Sequence, residues 1–326
     1  MEVVVTGASG FIGHNVLLRA PREWTIYAVY HSTPGLEAFV KQHGLANVKP
    51  VKCDLTSAMD VSALARMIGS KPDAMLYLAA NGDPAVSSKR PRWDLEANTV
   101  AFVNTLEQCP AEHVVYLSSG AVYDGLRGEV SPATAVSPRL PYAISKLASE
   151  QYLRFFCEHR GTVGSYINVR FFGAYGPYEP SRKITRRWFE GMAAGQREFV
   201  VRGDGKNLID FMYVDDAVDG FLALVKAKGE RRTVDFASGT PISVNDVVHT
   251  MAKIVGVDVT IRHEGHVPEY IEFRTVDTTM REQFGVRPST PFEQGLAKLR
   301  THLMGQGSAV AKAPAEKSGI GDQGQG

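Results

Sequence analysis

The sequence predicts an α/β fold built on a doubly wound parallel sheet, and two observations carry that expectation. Short β-branched runs alternate with longer amphipathic stretches through the first half of the chain, and a glycine-rich turn, GASGFIG at 7–13, joins the first run to the first stretch. Repetition of strand, helix, strand implies right-handed crossovers between parallel strands. Ligands of such sheets sit at the carboxyl ends of the strands.

Taken in order, the candidate strands are EVVVT (2–6), TIYAVY (25–30), VKPVKC (48–53), AMLYLAA (74–80), HVVYLSS (113–119) and SYINVRFF (165–172). Helix-like segments lie between them near 11–20, 57–69, 93–108 and 142–159. Beyond residue 172 the alternation loosens: GPYEPS reads as a turn cluster, 181–194 as a basic helix, and short strands and helices continue to about 304. The expected organisation is a dinucleotide-binding domain over 1–172, to which segments at about 208–240 return. A smaller substrate lobe spans 173–304. From 305 the text GQGSAVAKAPAEKSGIGDQGQG offers almost nothing to bury and reads as a disordered tail over 305–326.

An apolar fraction of 44% over 326 residues is that of a globular protein with a sizeable core. Lys plus Arg total 36 against 35 for Asp plus Glu, so no overall field favours nucleic acid or an anionic membrane, and neither is expected as a partner. Cys53, Cys109 and Cys157 are odd in number and form no CxxC, which argues against a disulfide framework or a zinc knuckle. The apolar run after Met1 is too short for a signal peptide or anchor. A reducing cytoplasm is the expected location.

Within GASGFIG, Gly7 permits a tight turn, Gly10 lets backbone approach a pyrophosphate, and Gly13 lets the helix pack closely on the sheet. The helix start through Ser9, Phe11 and Ile12 offers unpaired N–H groups to the anion. This spacing directly after a strand is a dinucleotide-binding pattern. The second strand ends in Tyr30, His31 and Ser32, where a carboxylate would normally meet the adenosine ribose. With no carboxylate to repel a 2′-phosphate, and His31, Ser32 and Lys41 as modest substitutes for an arginine, the expected cofactor is NAD(P) with a lean to NADP. Asp54, beside Leu55 in CDL, either meets the adenine amino group or caps the helix that follows.

LPYAISK (140–146) places Tyr142 and Lys146 four apart on one helical face. A nearby ammonium stabilises phenolate and lowers a tyrosine pKa from its usual value of about 10. SSGAVYDG (118–125) follows the apolar run HVVYL, so Ser119 stands at a strand's carboxyl end, placed to hydrogen-bond a reacting oxygen beside Tyr142. Three convergent groups over a nicotinamide make hydride transfer the natural reaction class.

In GASGFIG, CDL, YLAAN, SSGAVYD, PYAISK, VRFFGAYGP, FMYVDDAV, ASGTPISV and DTTMREQFGV, over about residues 2–304, the chain resembles the extended short-chain dehydrogenases, the NAD(P)-dependent sugar-nucleotide epimerase and dehydratase family with a Rossmann-type sheet. The resemblance implies that Ser119, Tyr142 and Lys146 are the catalytic triad, with Lys146 also touching the nicotinamide ribose. It implies that Leu78, Ala79, Ala80 and Asn98 line the cofactor cleft, and that the substrate is a nucleotide sugar. It further implies a homodimer paired through the helices near 93–108 and 142–159.

The departures from the family pattern bear on the reaction. Sugar-nucleotide 4,6-dehydratases carry an Asp-Glu pair after the catalytic Ser or Thr, and Gly120 and Ala121 stand there, so a 4,6-dehydratase is not expected; Ala121 counts against a decarboxylase too. A 4-epimerase with Tyr142 as acid and base is the leading expectation, a 4-ketoreductase the alternative, and a reductase of a non-nucleotide carbonyl compound or a noncatalytic dinucleotide sensor a further one. The diphosphate arginine of the family's Arg-Asp-Tyr motif is Ile209, ahead of Asp210 and Phe211. A second one normally precedes the glycine of His263-Glu264-Gly265, where Arg262 lies one place earlier. The family's asparagine after Arg-Phe is Gly173. In RKITRR (182–187), either a solvated helix face or, with Arg182 and Lys183, the replacement cations are read. Tyr270 matches a position near the sugar. NGDPAVSS (81–88) is expected to face the substrate through Asn81 and Ser87, with Asp83 as a turn former before Pro84. HEGH (263–266) lacks metal-site spacing, and no metal is expected.

Overall fold

The computed structural model describes residues 1–266 and 272–310. Its centre is a seven-stranded, all-parallel sheet. In chain order it is laid down by β1 (Glu2–Thr6), α1 (Phe11–Arg19), β2 (Thr25–Tyr30), α2 (Leu36–Gln42), β3 (Val48–Lys52), α3 (Ala58–Ile68) and β4 (Ala74–Tyr77). Four short helical pieces follow: α4 (Pro84–Lys89), α5 (Pro91–Leu95), a π-helical turn (Glu96–Val100) and α6 (Ala101–Gln108). Then come β5 (His113–Ser119), a 3₁₀ turn (Gly120–Tyr123), β6 (Arg127–Val130), α7 (Pro141–Glu158) and β7 (Ser165–Phe171).

All four residues of β4 and four of the five in β1 are buried, which is why these strands read as continuous rather than alternating apolar runs. Helices on both faces cover them. One core joins β1 and β2 to Val16, Leu17 and Phe221, and the other joins them to Leu64, Phe102 and Leu153. With a later strand, β12 (Arg231–Phe236), at one edge, the order is β12-β7-β5-β4-β1-β2-β3, and it reverses between β1 and β4. That reversal opens the crevice in which ligands of such sheets bind.

The rest of the chain is β8 (Ala174–Tyr175), α8 (Ile184–Ala193), β9 (Glu198–Arg202), β10 (Leu208–Ile209), β11 (Met212–Tyr213), α9 (Val214–Lys226), β12 (Arg231–Phe236), β13 (Ile242–Ser243), α10 (Val244–Val255), β14 (Thr260–Glu264), β15 (Glu272–Thr275), α11 (Thr279–Glu282) and α12 (Phe292–Val310). Within 208–240, α9 and β12 return to the large sheet, where β12 pairs in parallel with β7. Two-stranded ladders, β10 with β13 and β9 with β14, join α8, α10 and α12 around a separate core of Trp188, Phe199, Met251 and Leu296. β6 and β15 form a further ladder over the small cluster of Val122, Tyr123 and Val130.

Four sequence expectations change. The helix read over 93–108 begins two residues earlier, at Pro91, and its backbone widens into the π turn over Glu96–Val100 before α6 resumes. A helix that was not expected, α2, follows Gly35 in the left-handed conformation. The run to Ala80 stops pairing at Tyr77, which frees Leu78–Ala80 to line the cleft. α12 continues to Val310, past the start of the expected tail, whose remainder at 311–326 lies outside the described residues. Among the described residues no helix is long and apolar enough to cross a membrane.

Candidate active site

The first half of the site is built by the turn after β1. Gly7 has φ 65°, and the Gly10 N–H donates to the Gly7 carbonyl at 2.9 Å, folding the chain back before α1 begins. A Cβ on Gly13 would lie 2.4 Å from the Gly7 carbonyl oxygen, and one on Gly7 would lie 2.9 Å from the Ala79 nitrogen. The turn is therefore closed to larger residues by backbone atoms. Gly13→Ala is expected to displace it, costing about 1–3 kcal/mol and most of the dinucleotide affinity, as read by thermal denaturation and by NAD titration.

Beside the turn lies a cavity of about 320 Å³ lined by Gly7, Ser9, Gly10, Tyr30, His31, Ser32, Asp54, Leu55, Leu78, Ala79, Ala80, Asn81 and Trp93. Thr6 Oγ1 accepts the Leu78 and Ala79 N–H groups at 3.1 and 3.2 Å and so holds this floor to β1. The glycine cradle at one end and the His31, Ser32 and Asp54 group at the other fit a dinucleotide. Asp54 Oδ1 holds the Thr56 N–H and hydroxyl, its Oδ2 lies 3.8 Å from His31 Nε2, and Ser57 caps α3. His31 is the only basic side chain among the lining residues and faces a carboxylate, so the lean to NADP gains no support. Phe11 and Ile12 open α1 next to the cavity, and Gly13 packs beneath the turn. Asn98 was expected on the cavity wall. Instead its side chain is buried within the π turn, with Oδ1 accepting the Asn81 N–H at 2.7 Å and Nδ2 donating to Asp94 at 3.0 Å.

The second half stands at the end of β5. Ser119 is the last residue of the strand, and its hydroxyl accepts the Ala121 N–H at 3.1 Å, capping the 3₁₀ turn. Pro141 at the first position of α7 starts the helix that carries Tyr142 and Lys146 one turn apart. Ser119 and Tyr142 line the same cavity, and the serine side chain pulls the phenol pKa down. Lys146 is 3% exposed; its Nζ donates to the Leu117 carbonyl at 2.8 Å and lies 5.0 Å from the Tyr116 ring centre and 6.0 Å from that of Tyr142.

The electrostatics correct one expectation. Burial pushes the Tyr142 hydroxyl above its ordinary range; the Ser119 side chain and the Arg182 charge pull it down and the Asp94 charge adds to the rise. Burial also brings the Lys146 ammonium down to about 7, opposed by the charges of Asp94 and Glu150. The ammonium is turned to Leu117 O rather than to the phenol, and desolvation dominates both groups.

Behind the triad lies a buried polar network that the sequence reading missed. Ser118 donates to Glu150 at 2.5 Å, Arg170 Nη2 reaches Glu150 at 2.9 Å, Arg170 Nη1 reaches the Tyr123 hydroxyl at 3.0 Å, and that hydroxyl donates to Asp235 at 2.8 Å. An arginine in the middle of the apolar run YINVRFF was the available signal, since a charge in a buried strand requires a partner.

A second cavity of about 320 Å³ opens against Ser119 and Tyr142 and is lined mainly by apolar groups: Leu140, Phe172, Leu208, Ile209, Phe211 and Phe273. Gly120 and Ala121 line it too, and a Cβ on Gly120 would press on the Phe172 ring at 3.1 Å. Its charged lining is already engaged: Asp124 with Arg139, Asp210 with the Ser238 and Gly239 N–H groups, and Arg274 with Glu129.

Other substrate expectations change with the geometry. Ser87 does not face this cavity. Asp83 caps α4 with Pro84 at its first position, so Ser87 turns inward and its buried hydroxyl donates to the Pro84 carbonyl at 2.8 Å. Asn81 lies on the cofactor side, where its amide donates to Asp94. Gly173, at φ 138°, packs under Phe211 and is not among the lining residues. Arg182 is exposed, 3.6 Å from Asp83. Lys183 is drawn inward; its Nζ donates to the Ala174 carbonyl and lies 5.3 and 5.2 Å from the ring centres of Phe11 and Phe211, and burial brings it down to about 8. Arg262 is exposed on β14, tied to Glu198 and Glu264, away from the site. His263 meets Asn245 at 3.1 Å. Tyr270 lies outside the described residues.

Known proteins are similar to this chain over most of their length. A UDP-glucose 4-epimerase of Mycolicibacterium smegmatis is 28% identical, covering 91% of this chain and 97% of its own. A dTDP-D-glucose 4,6-dehydratase of Mus musculus is 23% identical, covering 91% and 87%. The structure of MoeE5 in complex with UDP-glucose and NAD superposes with a TM-score of 0.81 at 25% identity, covering 94% and 99%. The model of the NAD dependent epimerase/dehydratase family matches residues 3–236, and with the glycine turn, the parallel sheet and the Ser119, Tyr142 and Lys146 cluster it establishes that this chain belongs to that family.

Proposed function

We propose that the chain is a nucleotide-sugar 4-epimerase acting through a transient 4-keto sugar, with Tyr142 as its acid and base. The observation that carries this reading is the Ser119 and Tyr142 pair facing a cavity in which the two following positions, Gly120 and Ala121, have no side chain able to move a proton. Elimination of water calls for a further acid and base there. The NAD(P) cofactor, when bound along the glycine turn, supplies the hydride acceptor and donor. Tyr142 takes the proton from the C4 hydroxyl as the C4 hydrogen leaves, Ser119 holds the same oxygen, and Tyr142 returns the proton once the ketone has presented its other face. Lys146 would hold the ribose of the cofactor when it is bound, and the apolar walls keep water from the keto sugar. Lys183, beside the Phe11 and Phe211 rings, supplies the cation that Ile209 does not. In a 4-ketoreductase the same residues serve, with Tyr142 giving its proton once.

The apolar lining and Ile209 favour a second reading, reduction of a non-nucleotide carbonyl compound. A thermal-shift panel of UDP-, GDP-, CDP- and dTDP-sugars on the cofactor-loaded protein separates the two. A bound nucleotide sugar at a hundred times its Kd adds about 2.7 kcal/mol of stability, whereas no shift with any of them removes the leading reading.

The family's paired-helix dimer has a matching surface here. Leu95, Val100, Ile144, Tyr152 and Phe155 are exposed on α5, the π turn and α7, and exposed large apolar groups gathered on neighbouring helices are of the kind that marks an interface. We expect light scattering to give twice the chain mass of 35.6 kDa, and Phe155→Glu to return it to that of one chain. A wild-type protein at the single-chain mass refutes the dimer.

A further inference from the structure

Asp94 is a buried carboxylate, 1% exposed, on the short helix α5 at the edge of the cofactor cavity. Its Oδ1 accepts from Asn81 Nδ2 at 2.8 Å and Asn98 Nδ2 at 3.0 Å, and its Oδ2 from Ser145 Oγ at 2.7 Å. All three donors are neutral. Ser145 precedes Lys146 on α7, and Asn98 also contacts Ser145 at 3.1 Å. The π turn is what places Asn98 inside this cluster, since its extra residue per turn carries the amide towards α7.

The groups facing Lys146 are few. From β5 come the Leu117 carbonyl and the Tyr116 ring, from α7 Tyr142 and Glu150, from β7 Arg170 behind Glu150, and from α5 Asp94. Glu150 is held by Arg170 through both of its carboxylate oxygens, so its charge is already matched. Asp94 is the remaining anion, and the three groups that donate to it are neutral. We infer that Asp94 is a positioning residue of the site: it is the countercharge that keeps the buried Lys146 protonated, and through Asn81, Asn98 and Ser145 it ties the wall of the cofactor cleft to the helix bearing Tyr142.

The charge acts on both titrating groups in one direction. A nearby negative charge favours protonated Lys146 and protonated Tyr142 alike, and it is among the causes acting on each. Removing it lowers both. If activity requires the phenol and ammonium in defined states, both limbs of the pH profile then move to lower pH, whereas a purely structural loss lowers the profile without moving it.

The test uses the full chain as Asp94→Asn, with Asp94→Glu as the variant that restores the charge. The first readout needs neither cofactor nor turnover: the Lys146 side-chain resonance is followed against pH in protein carrying ¹³C-labelled lysine, assigned by its loss in Lys146→Arg. The expected result is a titration midpoint about one unit or more below wild type in Asp94→Asn and close to wild type in Asp94→Glu. The second readout is the pH profile of kcat/KM, expected to shift to lower pH in the first variant only. A midpoint unchanged or raised in folded Asp94→Asn overturns the inference. Should that variant not fold, Asp94→Ser, smaller and also neutral, gives the same reading with the same criteria.

Discussion

Replacing Tyr142 by Phe is expected to lower turnover by about 10²- to 10⁴-fold, the usual contribution of a positioned proton donor and acceptor, while leaving dinucleotide affinity nearly unchanged. The ring lies on the first turn of α7, beside the apolar cavity, and its aromatic body has little to lose from removal of one oxygen. The cofactor cavity is lined by other residues, from Gly7 to Trp93. Rates measured by product formation, beside NAD binding followed by intrinsic fluorescence, make the comparison. Near-normal turnover in the variant shows that the proton moves by another route. Because burial holds the wild-type phenol above its ordinary range, base catalysis is expected to strengthen as pH rises, up to the point where Lys146 loses its proton near 7. Binding of dinucleotide and sugar, which brings further charge to both groups, sets the final limbs.

The largest effect on stability is expected at Arg170. Its guanidinium and the Glu150 carboxylate are 6% and 2% exposed and paired at 2.9 Å, and Arg170 also holds the Tyr123 hydroxyl that meets Asp235. Arg170→Ala leaves Glu150 buried without its cation and is expected to cost about 3–5 kcal/mol, read as a fall in the urea midpoint. Burial brings Asp235 up to about 6, so near neutral pH the loss of the guanidinium leaves a second buried carboxylate in this network without its cation. A double variant with Glu150→Leu and Arg170→Met is expected to recover much of the loss, since two apolar side chains of similar volume carry no desolvation penalty. A single variant as stable as wild type would show that Ser118 and solvent already satisfy Glu150.

Much of this architecture was legible because the central strands are buried on both faces. Runs such as EVVVT and AMLY can be little else once a glycine turn and an amphipathic helix follow them, and the positions of Ser119, Tyr142 and Lys146 at a strand end and a helix start come from the same alternation. Side-chain direction was not legible. Ser87 lies in a polar loop by its text, yet the Asp83 cap and Pro84 begin a helix there that turns its hydroxyl inward. Lys146 was expected to face the phenol, but the Leu117 carbonyl, left by the end of β5, is the nearer acceptor. Asp94 and Asn98 sit in a stretch that reads as one regular helix; the π turn brings them against Ser145. Arg262 follows the same logic in reverse: nearness in sequence to a family position did not place it near the cavity, because Glu198 and Glu264 lie closer on the β9 and β14 ladder.

The central claim is that one phenol serves a hydride that leaves C4 of a nucleotide sugar and comes back to the same carbon. UDP-glucose, UDP-N-acetylglucosamine and UDP-glucuronic acid, each carrying deuterium at C4, incubated with the NAD-loaded protein and followed by NMR, test it directly. The account predicts that at least one is converted to its C4 epimer with the deuterium retained at C4, and that Tyr142→Phe stops the conversion. Deuterium washed into solvent, loss of water from the sugar, or no conversion of any of the three contradicts it.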